Sequence, residues 1–573
     1  MHIPDEVLLH VKKPARYIGN EINMVVKEAD AARINFAFCF PDVYEVGMSH
    51  LGLQILYFFL NRRDDVYCQR AFAPWLDMEE ILRERGLPLF SLETWTPLIE
   101  FDFVAFTLQY ELSYTNVLNM LSLSNIPFLA TQRTEEHPII CAGGPCAYNP
   151  EPLADFIDFF CIGEGEAILD EVLDIYNENK KQGGSKKDFL MSLLNVEGVY
   201  VPQFYDPNKT PVINKAIVCD VDASFYPEKP LVPLVDVVQN RAMLEVFRGC
   251  VRGCRFCQAG FVCRPYREKK CSTLLKQAEA VLASTGHQEI SLLSLSTGDY
   301  KDFPALAEQL LGTCANQNVN ISLPSLRIDA FSLGLMEKIQ TMRKSSLTFA
   351  PEAGTQRLRD VINKGINEAE IMNGCRLAFQ GGWDRIKLYF MVGLPTETEE
   401  DLKGIVSLAE SIVEVYYATV KKNRPVKVVA SVSCFVPKPL TPFQWEAQDS
   451  YEKFVEKQQF LKNKFRKWQV SYHYHDAGSS VLEGALARGD KQLGTVIAKA
   501  WELGARFDGW SEHFKFDLWK QAFEELGVDM ASYNRQRSIT EPLPWEHISA
   551  KVSKETLIRE RERALGGEGI FGS

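Results

Sequence analysis

The feature that most constrains the fold is an alternation of short apolar segments with helical stretches between residues 241 and 435. Six of the apolar segments have the length of a β-strand: Leu244–Phe247, Ile290–Leu295, Asn320–Leu323, Leu347–Ala350, Ile386–Val392 and Val428–Cys434. Strands that alternate with helices form parallel sheets covered by helices, and six such units favour a partial, six-strand βα barrel over a sandwich. We expect the ligand site at the carboxyl ends of these strands.

A similar alternation starts near residue 33, with strand candidates at Ile34–Phe40, Phe101–Leu108 and Pro138–Cys141 and a helix from His50. Glycines follow two of the later strands: Gly143, Gly144, Gly163 and Gly165. Glycines at strand ends suit a ligand at the carboxyl edge of a parallel sheet. The first half of the chain is therefore predicted to be a second α/β unit.

At 573 residues the chain is too long for one hydrophobic core. A segment rich in proline and asparagine, from about residue 202 to 233, reads as an irregular connection. The predicted division is an N-terminal lead at 1–32, an α/β domain at 33–195, a linker at 196–235, the barrel at 236–450 and a helical C-terminal region at 451–573. The last of these is charged, aromatic and helical in pattern.

The charge balance narrows the classes of partner. The formal net charge is -12, so no overall positive field attracts nucleic acid, and an RNA partner would need a local basic patch. No window approaches the 18 apolar residues of a membrane span, which predicts no membrane partner. The N-terminus lacks the pattern of a secretory signal, so we expect a cytoplasmic protein whose cysteines stay reduced.

Three of the 14 cysteines are spaced C-x3-C-x2-C directly after a predicted strand: Cys250, Cys254 and Cys257. Structural zinc normally takes four protein ligands, whereas a 4Fe-4S cube held by three thiolates keeps one iron open. The spacing therefore favours the cube. In the alternative, Cys263 or Cys271 supplies a fourth ligand and the site is purely structural.

This triplet resembles the radical S-adenosylmethionine (SAM) superfamily, whose motif is C-x3-C-x-aromatic-C, with Phe256 as the aromatic residue that faces the adenine. The resemblance implies two cofactors, a 4Fe-4S cluster and S-adenosyl-L-methionine. In that family the open iron chelates the amino and carboxyl groups of SAM, and one electron cleaves the sulfonium to methionine and a 5'-deoxyadenosyl radical. An external electron donor of the flavodoxin or ferredoxin type is implied.

The segment after the second barrel strand resembles the one that holds the methionine amino group in this family. It contains Ser296, Gly298 and Asp299, with Asp299 as the acceptor. The alternative is a plain turn with an Asx cap.

Three later segments resemble further parts of the SAM pocket. Ser325 and Arg327, after the third strand, resemble the residues that address the ribose and the methionine carboxylate. Glu352 resembles the family's ribose contact, and Gly393 belongs to a segment that resembles its apolar adenine platform.

The first α/β unit resembles the flavodoxin-like, cobalamin-binding-type domain that precedes many radical enzymes. The resemblance places Tyr44 near the lower face of a cobalamin, where the motif elsewhere has histidine, and Gly143, Gly144 and Gly163 in its pocket. His50 is read as a helix cap or core residue. In the alternative, the domain keeps the flavodoxin-like shape and holds nothing.

His473, His475 and Asp476 form an H-x-H-D set that we read as a polar strand edge rather than a zinc site.

The whole chain resembles uncharacterised bacterial radical SAM proteins with an N-terminal cobalamin-binding-like domain. This predicts a radical SAM enzyme and, if cobalamin binds, a methyltransferase acting on an unknown substrate. One alternative is cobalamin-independent radical modification of RNA or protein. Another is a non-catalytic iron-sulfur scaffold or redox sensor, and a third is a zinc-supported RNA-binding module, which the acidic balance disfavours.

Overall fold

The structure is a computed structural model, and it describes residues 5–28, 30, 32–209, 212–322, 347–420 and 424–566. No helix in these ranges combines the length and the apolar composition that crossing a bilayer requires.

The described strands are β1 (Ile34–Phe40), β2 (Val66–Phe72), β3 (Phe103–Thr107), β4 (Ile139–Gly143), β5 (Phe159–Cys161), β6 (Val199–Tyr200), β7 (Ile213–Asn214), β8 (Ala242–Glu245), β9 (Phe247–Arg248), β10 (Arg267–Glu268), β11 (Glu289–Leu293), β12 (Asn320–Ser322), β13 (Leu347–Glu352), β14 (Arg385–Val392), β15 (Lys427–Cys434), β16 (Val470–Tyr474) and β17 (Ile548–Ser549).

The described α-helices are α1 (Asp5–Leu9), α2 (Tyr44–Gly47), α3 (Leu51–Asn61), α4 (Leu76–Arg85), α5 (Tyr114–Leu123), α6 (Leu169–Gln182), α7 (Lys186–Ser192), α8 (Gln258–Val262), α9 (Cys271–Thr285), α10 (Phe303–Gln317), α11 (Gln356–Val361), α12 (Glu368–Gln380), α13 (Glu399–Thr419), α14 (Tyr451–Lys464), α15 (Ala477–Ala487), α16 (Gln492–Glu502), α17 (Phe516–Glu525), α18 (Met530–Asn534) and α19 (Lys554–Leu565).

The first sheet has the order β2-β1-β3-β4-β5-β6, in which β1 to β5 are parallel and β6 is antiparallel to β5. The order 2-1-3-4-5 is that of flavodoxin-like sheets, which bind ligands where the strand order reverses, between β1 and β3. Strand β2 was not predicted from the sequence. It carries Arg70, which is fully buried because it forms ion pairs with Glu21 and Glu93.

The predicted barrel strands are present in two parallel sheets, β12-β11-β8 and β13-β14-β15-β16. The C-terminal region, expected to be helical, also contains β16, a further parallel strand beside β15. This strand carries His473, one of the residues read as a polar strand edge, and Val470 is its one buried residue. The predicted boundary at 450 thus falls before the last strand of the sheet.

The C-terminal helices pack on the first domain rather than standing apart. Residues of α16 and α17 share one hydrophobic core with α5 of the first domain. Asp508, before α17, accepts hydrogen bonds from Thr115 (2.7 Å) and from the indole of Trp519 (3.0 Å). The predicted linker also joins this assembly, because β7 pairs with β17.

Candidate functional site

The cysteine triplet lies in a loop, residues 249–257, between β9 and α8; we call it the cysteine loop. Its first residue, Gly249, has a φ of 87°. A Cβ there would lie 2.5 Å from the carbonyl oxygen of Pro265. Only glycine permits both this backbone conformation and this close approach, so the loop begins at a position that a side chain would distort.

Residues 360–363, the end of α11 and the two residues after it, hold the cysteine loop in place. The Arg255 amide donates to the carbonyl of Ile362 (3.0 Å), and the Asn363 side chain donates to that of Gly253 (3.0 Å). The Arg255 guanidinium donates to the carbonyls of Asp360 and Val361, and the residue is 2% exposed. These bonds fasten the loop to the end of α11.

All three cysteines of the triplet line one cavity of about 320 Å³, the cluster cavity. This volume is within the range of about 300–1,000 Å³ typical of small-molecule sites. The other described lining residues are Arg252, Phe256, Leu295, Ser296, Thr348, Phe349, Ala350, Pro351, Glu352, Lys364, Ile366, Ile371 and Tyr389. Neither Cys263 nor Cys271 is among them, so the described lining supplies three thiols and no fourth.

The donor set suits a cube better than a single ion. In the described parts of the chain, no group of three or more His, Cys, Asp or Glu side chains is placed to hold one metal ion. Each thiolate of a three-cysteine cube binds a different iron, so its sulfurs stand farther apart than the ligands of one ion. Three thiols that line one cavity are the donor set that such a cube takes.

The thiols differ in their surroundings. Burial, followed by smaller contributions that include the neighbouring Cys254 and Cys250, raises the pKa of Cys257 to about 11. The Cys250 sulfur accepts a hydrogen bond from the Arg252 amide at 3.4 Å. Iron binds the thiolate form, so metal binding at Cys257 must release a proton.

Asp299 lies at the predicted place, in a short 3-10 turn after β11. Its carboxylate accepts hydrogen bonds from the Arg252 Nε (2.8 Å) and from the Ser296 hydroxyl (2.7 Å). Ser296 lines the cluster cavity, whereas Gly298 and Asp299 are not in its lining. Asp299 therefore orients Arg252 and Ser296, both of which reach the cavity.

Glu352 ends β13 and lines the cluster cavity. Its φ of 67° is unfavourable for a side-chain-bearing residue, and its carboxylate lies 3.1 Å from the Lys364 ammonium. Gly393 has a φ of 83° and packs against Phe454, outside the described lining. The predicted Ser325 and Arg327 lie outside the described residues.

A smaller cavity of about 130 Å³, the sheet cavity, lies at the carboxyl edge of the first sheet and is lined by Gly143, Gly144 and Gly163 among others. Two of these glycines, Gly144 and Gly163, have a positive φ, and neighbouring backbone atoms of the protein leave no room for a side chain at either position. A Cβ at Gly163 would lie 2.0 Å from the Ala216 oxygen, and one at Gly144 would lie 2.7 Å from the Leu108 oxygen. These glycines therefore serve chain packing as well as facing the cavity.

Tyr44, which was predicted to lie near the lower face of a cobalamin, is a core residue away from the sheet cavity. It is 2% exposed, its hydroxyl donates to Glu21 (2.9 Å), and its ring packs edge-on against Phe72. Burial first, and then the Glu21 charge, raise its pKa well above the ordinary value. Tyr44 does not line the sheet cavity.

A third cavity of about 420 Å³, the central cavity, shares wall residues with each of the other two. It shares His50, Gly52 and Leu56 with the sheet cavity, and Leu295 with the cluster cavity. As expected, His50 caps a helix: its Nδ1 accepts from the Leu53 amide (3.3 Å). Burial lowers its pKa, so the imidazole on the cavity wall is neutral near pH 7.

Two lining residues of the cluster cavity were missed by sequence reasoning, Lys364 and Tyr389. Tyr389 had an available signal, because Lys387 and Tyr389 alternate with the buried Ile386, Leu388 and Phe390 along β14. Such alternation marks a strand with one covered and one open face. No signal in the sequence pointed to Lys364, because its position in the cavity depends on the fold around Glu352.

Two family models match this chain. Residues 52–202 match the N-terminal region of radical SAM proteins, and residues 244–409 match the radical SAM superfamily. An uncharacterized protein of Methanocaldococcus jannaschii is 29% identical over 504 residues, which cover 86% of this chain and 97% of the relative.

Two further proteins are similar over less sequence or at lower identity. The ribosomal protein uS12 methylthiotransferase RimO of Clostridioides difficile is 22% identical over 33% of this chain and 45% of its own length. The structure of OxsB, a cobalamin-dependent SAM radical enzyme with aqua-cobalamin and SAM bound, has a TM-score of 0.49 at 12% identity, covering 93% of this chain and 79% of OxsB.

The two family matches together span more than half of the chain, and they include the cysteine loop and the lining of the cluster cavity. Radical SAM proteins bind a 4Fe-4S cluster and SAM, and they depend on an electron donor, so the comparisons support the cofactors expected from the triplet. The two family matches show that this protein belongs to the radical SAM superfamily.

Proposed function

We propose that this protein is an enzyme that cleaves SAM reductively at a 4Fe-4S cluster held by Cys250, Cys254 and Cys257. The observation that carries the proposal is that all three thiols and Phe256 line one cavity, together with Ser296 and Glu352 from the ends of neighbouring strands. Three thiols leave one iron of a cube free for the amino and carboxyl groups of SAM.

The chemistry comes from the cofactors: when bound, the reduced cluster and SAM supply a 5'-deoxyadenosyl radical. The chain binds and orients them. Phe256 presents an aromatic face for the adenine, and Glu352, held by Lys364, offers a carboxylate to ribose hydroxyls. Arg252, held by Asp299, places a positive charge beside the site of the methionine carboxylate. The electron comes from a flavodoxin- or ferredoxin-type partner.

The test is anaerobic reconstitution with iron and sulfide, reduction with dithionite, and measurement of 5'-deoxyadenosine. The wild-type protein is expected to convert SAM, and Cys254→Ala to lose all turnover together with most of its iron. Cys263→Ala is the matched control, because Cys263 lies outside the cluster cavity. It should retain both iron and turnover. A reduced, iron-replete wild-type protein that does not cleave SAM even with cell extract as a source of substrate would favour a scaffold or redox sensor.

The second candidate is cobalamin-dependent methyl transfer, favoured by the sheet cavity and by the wall residues that it shares with the central cavity. Gly143, Gly144, Gly163 and His50 would lie at such a cofactor. At about 130 and 420 Å³ the two cavities must open further to admit a corrin ring. Absorption spectra of protein purified with and without hydroxocobalamin test this, and a spectrum without corrinoid bands would leave cobalamin-independent modification as the reaction.

A further inference from the structure

Helices α12, α13 and α14 cover one face of the sheet β14-β15-β16, the face that carries Ile386, Leu388 and Phe390. In the described part of the chain the other face carries exposed or half-buried side chains, and we call it the open face. Its residues are Arg385, Lys387, Tyr389, Lys427, Val429, Ser433, Ser471 and His473, with Ser431 between them at 7% exposed.

The register fixes which side chains are neighbours on the open face. Arg385 pairs with Lys427, and Tyr389 pairs with Ser431, which in turn pairs with His473. Residues paired across parallel strands point to the same side of the sheet. Two cations therefore lie side by side at the start of the strands, and a phenol, a hydroxyl and an imidazole form a row nearer to the cysteine loop.

The cations of the open face are not neutralised within the described chain. Arg385, Lys387 and Lys427 form no ion pair with any carboxylate that the structure describes; the Lys387 ammonium instead donates to the Tyr389 hydroxyl (3.0 Å) and lies 4.6 Å from the centre of that ring. In the other barrel sheet, by contrast, Arg241 pairs with Glu289 (2.7 Å). The open face is thus a local positive area in a chain of net charge -12.

The open face continues into the cluster cavity, because Tyr389 lines that cavity and is 39% exposed. Lys387 and Arg385 lie two and four residues before Tyr389, which places them about 7 and 13 Å farther from the carboxyl edge of the sheet. A ligand that reaches both the cavity and these cations must therefore be long. Its negative charges must lie at a distance from the group that reacts in the cavity.

From this geometry we infer that the open face binds a single-stranded segment of RNA whose target nucleotide enters the cluster cavity. The inference rests on the proposed function and names its substrate class. A single strand carries one phosphate per nucleotide for Arg385, Lys387 and Lys427. Its bases stack on exposed aromatic rings, here Tyr389, while exposed polar groups such as the His473 imidazole complete the contacts.

The experiment measures fluorescence anisotropy of fluorescein-labelled oligouridylate with the full chain over a series of KCl concentrations. For single strands, the slope of log K against log salt changes by about 0.7 for each phosphate contact that is lost. We expect Lys387→Met and Arg385→Met each to make the slope shallower by about that amount. Lys387→Arg should retain the wild-type slope, which separates loss of charge from misfolding.

The matched control is Lys403→Met. Lys403 lies on α13, on the helical side of the same sheet, and bonds to Glu400 (2.7 Å) and Glu399 (3.0 Å). Its removal should leave the slope at the wild-type value. Equal slopes for Lys387→Met, Arg385→Met and Lys403→Met would overturn the inference, as would displacement of the RNA by polyglutamate at equal charge concentration, which would point to an acidic protein.

SAM cleavage by the wild-type protein is measured in parallel. RNA binding with the expected slopes but no cleavage would contradict the proposed function alone. Cleavage without any RNA binding would contradict the RNA assignment alone.

Discussion

The Arg255 guanidinium lies 3.3 Å from the carboxylate of Glu560 and so connects the cysteine loop to α19. The two residues are far apart in the sequence, and α19 lies close to the end of the chain. The helix packs against the elements that hold the loop, since Ala564 lies in the same hydrophobic core as Leu358 and Val361 of α11. The C-terminal region is therefore part of the site's support.

Replacing Arg255 should loosen the cysteine loop. Arg255→Met removes the bonds to the carbonyls of Asp360 and Val361 as well as the ion pair, and takes the guanidinium donor from the carbonyl of the buried Val361. We expect the free energy of unfolding to fall by about 3 kcal/mol, with a lower iron content after reconstitution. Glu560→Gln is the control: it removes the ion pairs of Glu560 with Arg255 and Arg563 and should cost about 1 kcal/mol or less. Equal effects of the two substitutions would contradict this account.

Glu352 should show opposing effects on stability and binding. Its left-handed backbone costs about 1–2 kcal/mol in a residue with a side chain, so Glu352→Gly relieves strain while it removes the ion pair with Lys364. We expect the free energy of unfolding to change by less than about 1 kcal/mol and the affinity for SAM to fall. Equilibrium dialysis of SAM and urea unfolding measure the two quantities. Unchanged SAM affinity would refute the role of the carboxylate.

Gly163 should tolerate no side chain. A Cβ would lie 2.0 Å from the oxygen and 2.8 Å from the nitrogen of Ala216, so Gly163→Ala should destabilise the chain by about 3 kcal/mol or more. Gly86→Ala is the matched control: Gly86 also has a positive φ, 64°, but nothing lies within 4 Å of its Cβ position. It should cost about 1 kcal/mol. Similar melting temperatures for both variants would show that Gly163 has room for a ligand.

His547 should make stability depend on pH. Burial, and then the charge of Lys491, lower its pKa to about 4, and its ring packs against Tyr200 and Tyr205. Between about pH 6.5 and 4 the unfolded chain takes up a proton that the folded chain does not, so this contribution to stability falls as the pH falls. At pH 5 the loss is at most about 2 kcal/mol.

The measurement is urea unfolding of the wild type and His547→Gln at pH 7 and pH 5. Groups distant from residue 547 titrate equally in both proteins, so the difference reports His547 together with Glu151, whose carboxylate lies 3.4 Å from the His547 Nε2. The variant should lose less stability on acidification than the wild type does. An equal loss would show that the imidazole is protonated as readily in the folded state as in the unfolded one.

Local signals in the sequence predicted much of the fold. Strand β1 was predicted with the bounds that the structure shows, because it is a nearly continuous apolar run. Strands β14 and β15 were predicted to within one residue, because they carry an apolar residue at every second position or more often. Strand β2 was missed, and β16 was anticipated only as a polar strand edge at His473. A polar residue such as Arg70 in β2 is accommodated by distant partners such as Glu21, and no local pattern reports such partners.

The sequence by itself determined the cysteine triplet, Cys250, Cys254 and Cys257, with Phe256 between the last two. Its resemblance to the radical SAM motif, together with the segments after the later strands, predicted the family and the cofactors, because three thiolates in one short loop can be aimed at one cube. Only the tertiary structure decided that Arg252 is held by Asp299, that Glu560 reaches Arg255, that Tyr44 is a core residue, and that Lys387 and Tyr389 share an open face with the cluster cavity. These relationships join residues far apart in the chain, and they depend on strand register and on the packing of the C-terminal helices, which no local pattern encodes.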